Sequence, residues 1–125
     1  MTRYLLDSHS FLWYEGGIQL SAEHRAALDD PANELHLSVA SIWELTIKRS
    51  IGRLQSATSF RAEALRLQIQ ILPILAEHAE MVERLPRHHN DPFDHMLLAQ
   101  AMVEGLVLVT HDRALHAYNV PMLRV

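Results

Sequence analysis

A chain of 125 residues, 49% of them apolar, can bury one respectable core and hardly two, so a single domain spanning residues 1–125 is expected. The absence of cysteine excludes a disulfide framework and all thiolate chemistry, and fits a reducing compartment. A formal charge of −4 withholds the global positive field of a typical nucleic-acid binder, leaving local clusters such as Lys48, Arg49 and Arg53, so any polyanionic ligand needs a local device such as a metal ion.

The opening "MTRYLLDSHSFLWYEGG" has one Arg and only short apolar bursts interrupted by polar residues, which is neither a signal peptide nor a membrane span and makes a cytoplasmic protein the expectation. Residues 3–6, "RYLL", read as a short apolar strand that runs straight into Asp7. Ser21 is an N-cap for a short helix that ends near Pro31, and "LHL" over 35–37 is a second brief strand. From Ser38, another N-cap, Val39, Ile42, Trp43, Ile47 and Ile51 recur at helical spacing until Gly52. A helix over about 59–70, a strand over 71–74 and a helix from Ala76 that Pro86 terminates come next. "PFDHMLLAQAMVEG" is a helix with Pro92 in its first turn and Gly105 at its end; a buried-type strand over 106–109, a short helix over 113–117 and a last strand near "PMLRV" close the chain. Short, wholly apolar strands separated by helices predict an α/β fold, a three-layer α/β/α sandwich around a short, mostly parallel sheet. The apolar runs around Trp13, Trp43 and Met96 to Met102 read most simply as core.

Ligand sites in such sheets lie beyond the carboxyl ends of the strands. Asp7 and Asp112 each follow a strand, and parallel strands would project both from the same edge; the bland alternative for either is a turn or helix-capping aspartate. Glu44 sits in the middle of the most apolar helix, where an unpaired carboxylate is expensive to bury, unless it faces solvent in an i,i+4 pair with Lys48. Asp91, before Pro92, stands where an N-cap belongs, whereas Asp94 lies inside the first turn, where the helix dipole favours an anion with or without a ligand.

The histidines lack the i,i+4 pair of "HExxH" and show no spacing that builds a closed zinc site. His88 and His89 read as solvated loop residues, while His9 and His111, beside candidate ligands, are placed to meet a substrate phosphate or support a ligand. Taken as a set, scattered carboxylates suit a hard divalent cation, which takes oxygen ligands and bridges them to phosphate.

Three blocks, "YLLDSHSFLWY", "SVASIWELTIKRSIGRL" and "LPRHHNDPFDHMLLAQAMVEGLVLVTHD", occur in the order and with the flanking residues of the PIN-domain ribonucleases, and together they resemble the VapC-like toxins of toxin–antitoxin pairs. The resemblance implies that Asp7, Glu44, Asp94 and Asp112 form the acidic quartet of a Mg²⁺ or Mn²⁺ site performing metal-assisted phosphodiester hydrolysis of RNA, with Asp7 and Asp94 the most direct ligands. It gives Ser8 and Thr110 supporting hydroxyls, and puts His95 where close relatives often carry arginine, which removes a permanent cation and places substrate contacts there in doubt. Lys48, Arg49 and Arg53 are candidates for steering the RNA backbone, or are an ordinary basic helix end. It further implies a homodimer and a cognate antitoxin protein, for which Phe11, Leu12, Trp13 and Tyr14 with part of the Glu44 helix are a docking face if they are not core.

Two other enzyme classes fail on composition: a haloacid-dehalogenase-like phosphatase needs a second Asp where His9 stands, and a response regulator needs a late Lys, yet the only one is Lys48. A module that keeps the fold and binds RNA or protein without catalysis is the remaining alternative.

Overall fold

Four apolar-rich residues at the N-terminus, Arg3–Leu6, form β1, the centre of a five-stranded sheet. The computed structural model describes residues 1–17 and 19–125. The other strands are β2 (Glu34–Ser38), β3 (Gln70–Leu72), β4 (Val107–Thr110) and β5 (Met122–Arg124), in the spatial order β3-β2-β1-β4-β5. Every pairing is parallel, with Leu6 opposite Leu37 on one side and Val109 on the other. The order runs outward from β1 in both directions, so the topological switch point lies at the carboxyl ends of β1 and its neighbours.

Between the strands run α1 (Ser8–Gly16), α2 (Ala22–Asp29), α3 (Val39–Ser50), α4 (Phe60–Arg66), α5 (Ala76–Met81) and α6 (Pro92–Glu104), with 3-10 turns over Val82–Arg84 and Arg113–Ala117. Successive strand residues face opposite sides of a sheet, and the two cores divide accordingly. Leu5 and Leu108 pack with Leu97, Leu98 and Ala101 of α6, whereas Tyr4, Leu6, Leu37 and Val109 pack with Phe11, Leu28 and Phe60 from the opposite layer. This is the expected three-layer sandwich. Each fully buried Leu or Phe contributes about 1.5–3 kcal/mol of transfer free energy. Among the described residues, no helix is long and apolar enough to cross a membrane.

The caps fall largely where the sequence puts them. Ser21, Ser38, Ser59 and Asp91 each accept a backbone N–H from the helix they open. Gly105 closes α6 in the left-handed region at φ 67°, a conformation that costs a glycine little.

Other details differ. Residues 8–16 form a helix that periodicity does not announce, because Ser8, His9 and Ser10 interrupt the apolar pattern; Asp7 caps it by accepting from Ser10 N, and Gly17, at φ 73°, closes it on Trp13 O. β3 covers 70–72 rather than 71–74, since Pro73 has no N–H to extend the ladder. α4 stops at Arg66, before a left-handed Gln68 at φ 60°. The helix expected from Ala76 to the residue before Pro86 becomes a short α-helix followed by a 3-10 turn, and the segment 113–117 is likewise 3-10.

The largest correction concerns α3. Its i,i+4 apolar stripe is exposed: Trp43 is 59% accessible and Ile51 61%, with Val39 and Ile47 also at the surface. The buried face carries Ala40, Ser41 and Leu45 instead, so Trp43 is not core. Met102, on α6, is exposed as well. Phe11, by contrast, is fully buried, which removes it from any docking face.

Candidate metal centre

β1 ends at Leu6 and β4 at Thr110, and because the two strands are adjacent and parallel, Asp7 and Asp112 emerge at the same sheet edge. α3 starts from the end of β2 and brings Glu44 in from one side, and the first turn of α6 brings Asp94. One pocket of about 120 Å³ is lined by Asp7, Ser8, His9, Glu44, Lys48, Asp91, Asp94 and Asp112. The four acids named from the sequence thus line a common cavity, although they span more than a hundred residues of chain.

The bland and the functional readings of the aspartates coexist. Asp7 Oδ1 accepts from Ser10 N at 2.9 Å, Asp112 Oδ1 from Ala114 N at 2.9 Å, and Asp91 Oδ1 from Phe93 N at 2.9 Å. A carboxylate has two oxygens, so capping occupies one and fixes the direction of the other. Capping here serves as orientation. Asp91, expected only as a cap, is also a wall of the pocket.

Glu44 is held by two neighbours. Ser8 Oγ donates to its Oε1 at 2.5 Å, which gives the hydroxyl after Asp7 a definite task. Lys48 Nζ lies 3.8 Å from Oε2, the expected i,i+4 pair, but facing the pocket rather than open solvent. Thr110 Oγ1 accepts from Asp112 N at 3.1 Å and so shapes the turn that presents Asp112.

Asp94 carries the strongest electrostatic signature. Burial pushes its carboxyl up to about 6 from an ordinary 3.8, the neighbouring Asp91 and Glu44 charges push the same way, and a hydrogen bond from His89 opposes them. His89 Nε2 stands 2.9 Å from Asp94 Oδ2, so His89 is part of the site rather than a solvated loop residue. Its backbone N–H donates to Tyr118 Oη at 3.1 Å, and Tyr118 Oη lies 3.3 Å from His95 Nε2. Sequence reasoning missed His89 because a partner five residues away across a proline-containing loop leaves no periodic signal.

Two substrate candidates sit elsewhere. His95 is buried against Tyr118, where it supports the loop bearing His89. Arg49 donates to Thr58 O at 2.6 Å and covers the Phe60 ring at 4.4 Å, so its guanidinium ties α3 to α4. Lys48 is the member of the basic pair that faces the acids.

The donor set fits a hard divalent cation. Five carboxylates and one ammonium share a small pocket, one carboxyl is driven toward protonation, and a dication relieves that repulsion directly. One oxygen or nitrogen from each of His89, Asp94 and Asp112 also comes within 4.8 Å of the others, close enough to share an ion.

The chain matches the PIN-domain family model over residues 4–120. It belongs to the PIN-domain family. Among curated proteins, it is 29% identical over 124 residues to "Ribonuclease VapC22" of Mycobacterium tuberculosis, covering 97% of this chain and 95% of that protein. Among solved structures, the PIN domain is similar to a chain of VapBC2 from Rickettsia felis bound to a DNA fragment from its promoter, with TM-score 0.75, 13% identity and 98% coverage of both chains. It is also similar to VapBC-5 of Mycobacterium tuberculosis, a member of the VapBC family of toxin–antitoxin systems, with TM-score 0.62, 21% identity and full coverage of both chains. The structural neighbours bear out the three-layer sandwich, and the family match bears out the resemblance carried by the three sequence blocks.

Proposed function

We propose that this PIN domain is a divalent-metal-dependent endoribonuclease, the toxin of a toxin–antitoxin pair. The observation that carries the reading is the single pocket shared by Asp7, Glu44, Asp94 and Asp112. The name of the mycobacterial relative, a ribonuclease, supports the chemistry, and the toxin–antitoxin neighbours support a cognate antitoxin as partner.

Asp7 and Asp94 would be the most direct ligands for Mg²⁺ or Mn²⁺, and Glu44 and Asp112 would complete the oxygen set. A bound dication there supplies Lewis acidity toward a phosphodiester and makes water a better nucleophile at neutral pH. The chain's own contributions are positional. Ser8 fixes Glu44 Oε1, His89 fixes Asp94 Oδ2, and backbone N–H groups fix Asp7 and Asp112. Lys48, at the pocket wall, is placed to meet a non-bridging phosphate oxygen. The chemistry requires no side chain as a covalent nucleophile. A homodimer acting on cytoplasmic RNA completes the proposal.

The test is incubation of the purified protein with total RNA in Mg²⁺ and in EDTA, followed by mapping of the cut ends. Cleavage that requires Mg²⁺ and disappears in Asp7→Asn and Asp94→Asn, with circular dichroism unchanged, is expected. A well-folded protein that leaves RNA intact under all conditions would instead be a PIN-like RNA- or protein-binding module.

A further inference from the structure

Beside the acidic pocket lies a larger cavity of about 540 Å³, lined by Asp7, His9, Trp13, His111, Asp112 and Arg113. It shares Asp7, His9 and Asp112 with the acidic pocket, so the two form one continuous depression. Its volume is within the ~300–1,000 Å³ typical of small-ligand pockets. The acid-rich wall passes into a wall of rings: Trp13 and His111 meet edge to face with centroids 5.2 Å apart, and the His9 ring lies 6.4 Å from Trp13.

That arrangement is not explained by core packing. On α1 the core position is taken by the fully buried Phe11, whereas Trp13 keeps part of its surface open to the cavity and His9 is exposed. His9 and Trp13 are four residues apart on one helix and therefore on one face. His111 is steadied by its Nδ1–H, which donates to Val125 O at 2.5 Å and leaves Nε2 as the free ring nitrogen. Arg113 adds an exposed guanidinium at the rim.

We infer that Trp13, with His111 and His9 around it and Arg113 at the rim, forms a stacking subsite for a nucleobase of single-stranded RNA next to the phosphate held at the acidic pocket. The inference rests on the nuclease reading for its substrate and deepens it. A nucleobase is the part of RNA with a neutral π-face, and aromatic side chains bind such faces whatever the base. A phosphate cannot enter an acid-lined pocket without help, but the neutral base attached to it can seat on indole while Arg113 takes the flanking phosphate. An arginine-rich peptide, drawn by Asp7 and Asp112, is the competing occupant, and the neutral rings of Trp13 and His111 favour a base over it.

The experiment uses the full chain carrying Trp43→Phe, which leaves Trp13 as the single tryptophan. A short mixed-sequence single-stranded RNA is mixed with it in Mg²⁺ in a stopped-flow fluorimeter, and Trp13 emission is followed before turnover. Prompt saturable quenching is expected, absent with an abasic RNA of the same length. Trp13→Ala should weaken RNA binding about 5- to 150-fold, the usual range for removing one base-stacking ring, and Trp13→Phe should recover most of it. Emission unchanged by RNA, or quenched equally by the abasic strand, overturns the subsite, and so does quenching by an arginine-rich peptide but not by RNA. The fluorescence readout requires no cleavage, so RNA cutting without Trp13 quenching refutes the subsite and spares the nuclease, whereas quenching without cutting does the reverse.

Discussion

His89 Nε2 donates to Asp94 Oδ2 across 2.9 Å, so a loop that Tyr118 anchors from beneath holds the carboxylate most in need of a counter-charge. With Asp94 ionised and no ion bound, the proton of this bond sits on Nε2. Local order and site electrostatics therefore depend on the same contact.

Asp94 should destabilise the metal-free protein. Its folded-state value, about 6, lies above its ordinary 3.8, so the native state binds this proton more tightly than the unfolded chain does. Its contribution is complete below the ordinary value and is lost as pH rises through 6, a change of up to about 3 kcal/mol. Asp94→Asn is expected to unfold at a higher urea concentration than the wild type at pH 7 in EDTA and to lose that advantage at pH 4. A variant less stable than wild type at pH 7 would refute the burial argument.

His89→Ala should weaken divalent binding about 10-fold, the low end for loss of a residue that orients a ligand. Because the His89 hydrogen bond opposes the upward push on Asp94, removing it makes Asp94 easier to protonate, and the loss should be greater at pH 6 than at pH 8. Calorimetric titration with Mn²⁺ at both pH values measures it; equal affinities for variant and wild type would show that His89 is a bystander.

Much of this was legible in the sequence. Short apolar runs separated by capped helices predicted the parallel sheet, and acids directly after strands predicted where Asp7 and Asp112 emerge, because parallel strands share a carboxyl edge. The sequence misled where periodicity reports a helix but not the direction it faces: the α3 stripe from Val39 through Trp43 to Ile51 looks like a core face and lies on the surface. Contacts between distant loops, such as His89 with Tyr118, leave no trace in local pattern. Nor does charge composition separate Lys48, which faces the acids, from Arg49, which is spent on Phe60 and Thr58.

Arg49→Ala accordingly should cost stability rather than RNA affinity. A cation–π contact and a hydrogen bond to a main-chain carbonyl are lost, about 1–2 kcal/mol together. Denaturant unfolding should register that drop while the salt dependence of RNA binding stays at the wild-type slope. A reduced slope would return Arg49 to the RNA-contacting set.

Ser8→Ala removes the donor to Glu44 Oε1 and leaves a partly buried carboxylate with Lys48 as its remaining partner in the pocket. Hydrogen bonds to charged groups are worth about 1.5–3 kcal/mol, so cleavage should fall at least about 10-fold. Ser8→Thr keeps the hydroxyl and should restore most of the rate; single-turnover kinetics on one RNA substrate distinguish the three proteins. Equal rates for Ser8→Ala and wild type would show that Glu44 needs no such anchor.

In the proposed nuclease, carboxylates from the turn after β1, from α3, from α6 and from the turn after β4 act together as one cradle for a dication. Crystals soaked in Mn²⁺ and measured for anomalous scattering at the manganese edge test it directly. A peak within bonding distance of Asp7 and Asp94 that vanishes in Asp94→Asn crystals is expected; a manganese peak elsewhere, or none in well-ordered wild-type crystals at millimolar Mn²⁺, would overturn the shared site.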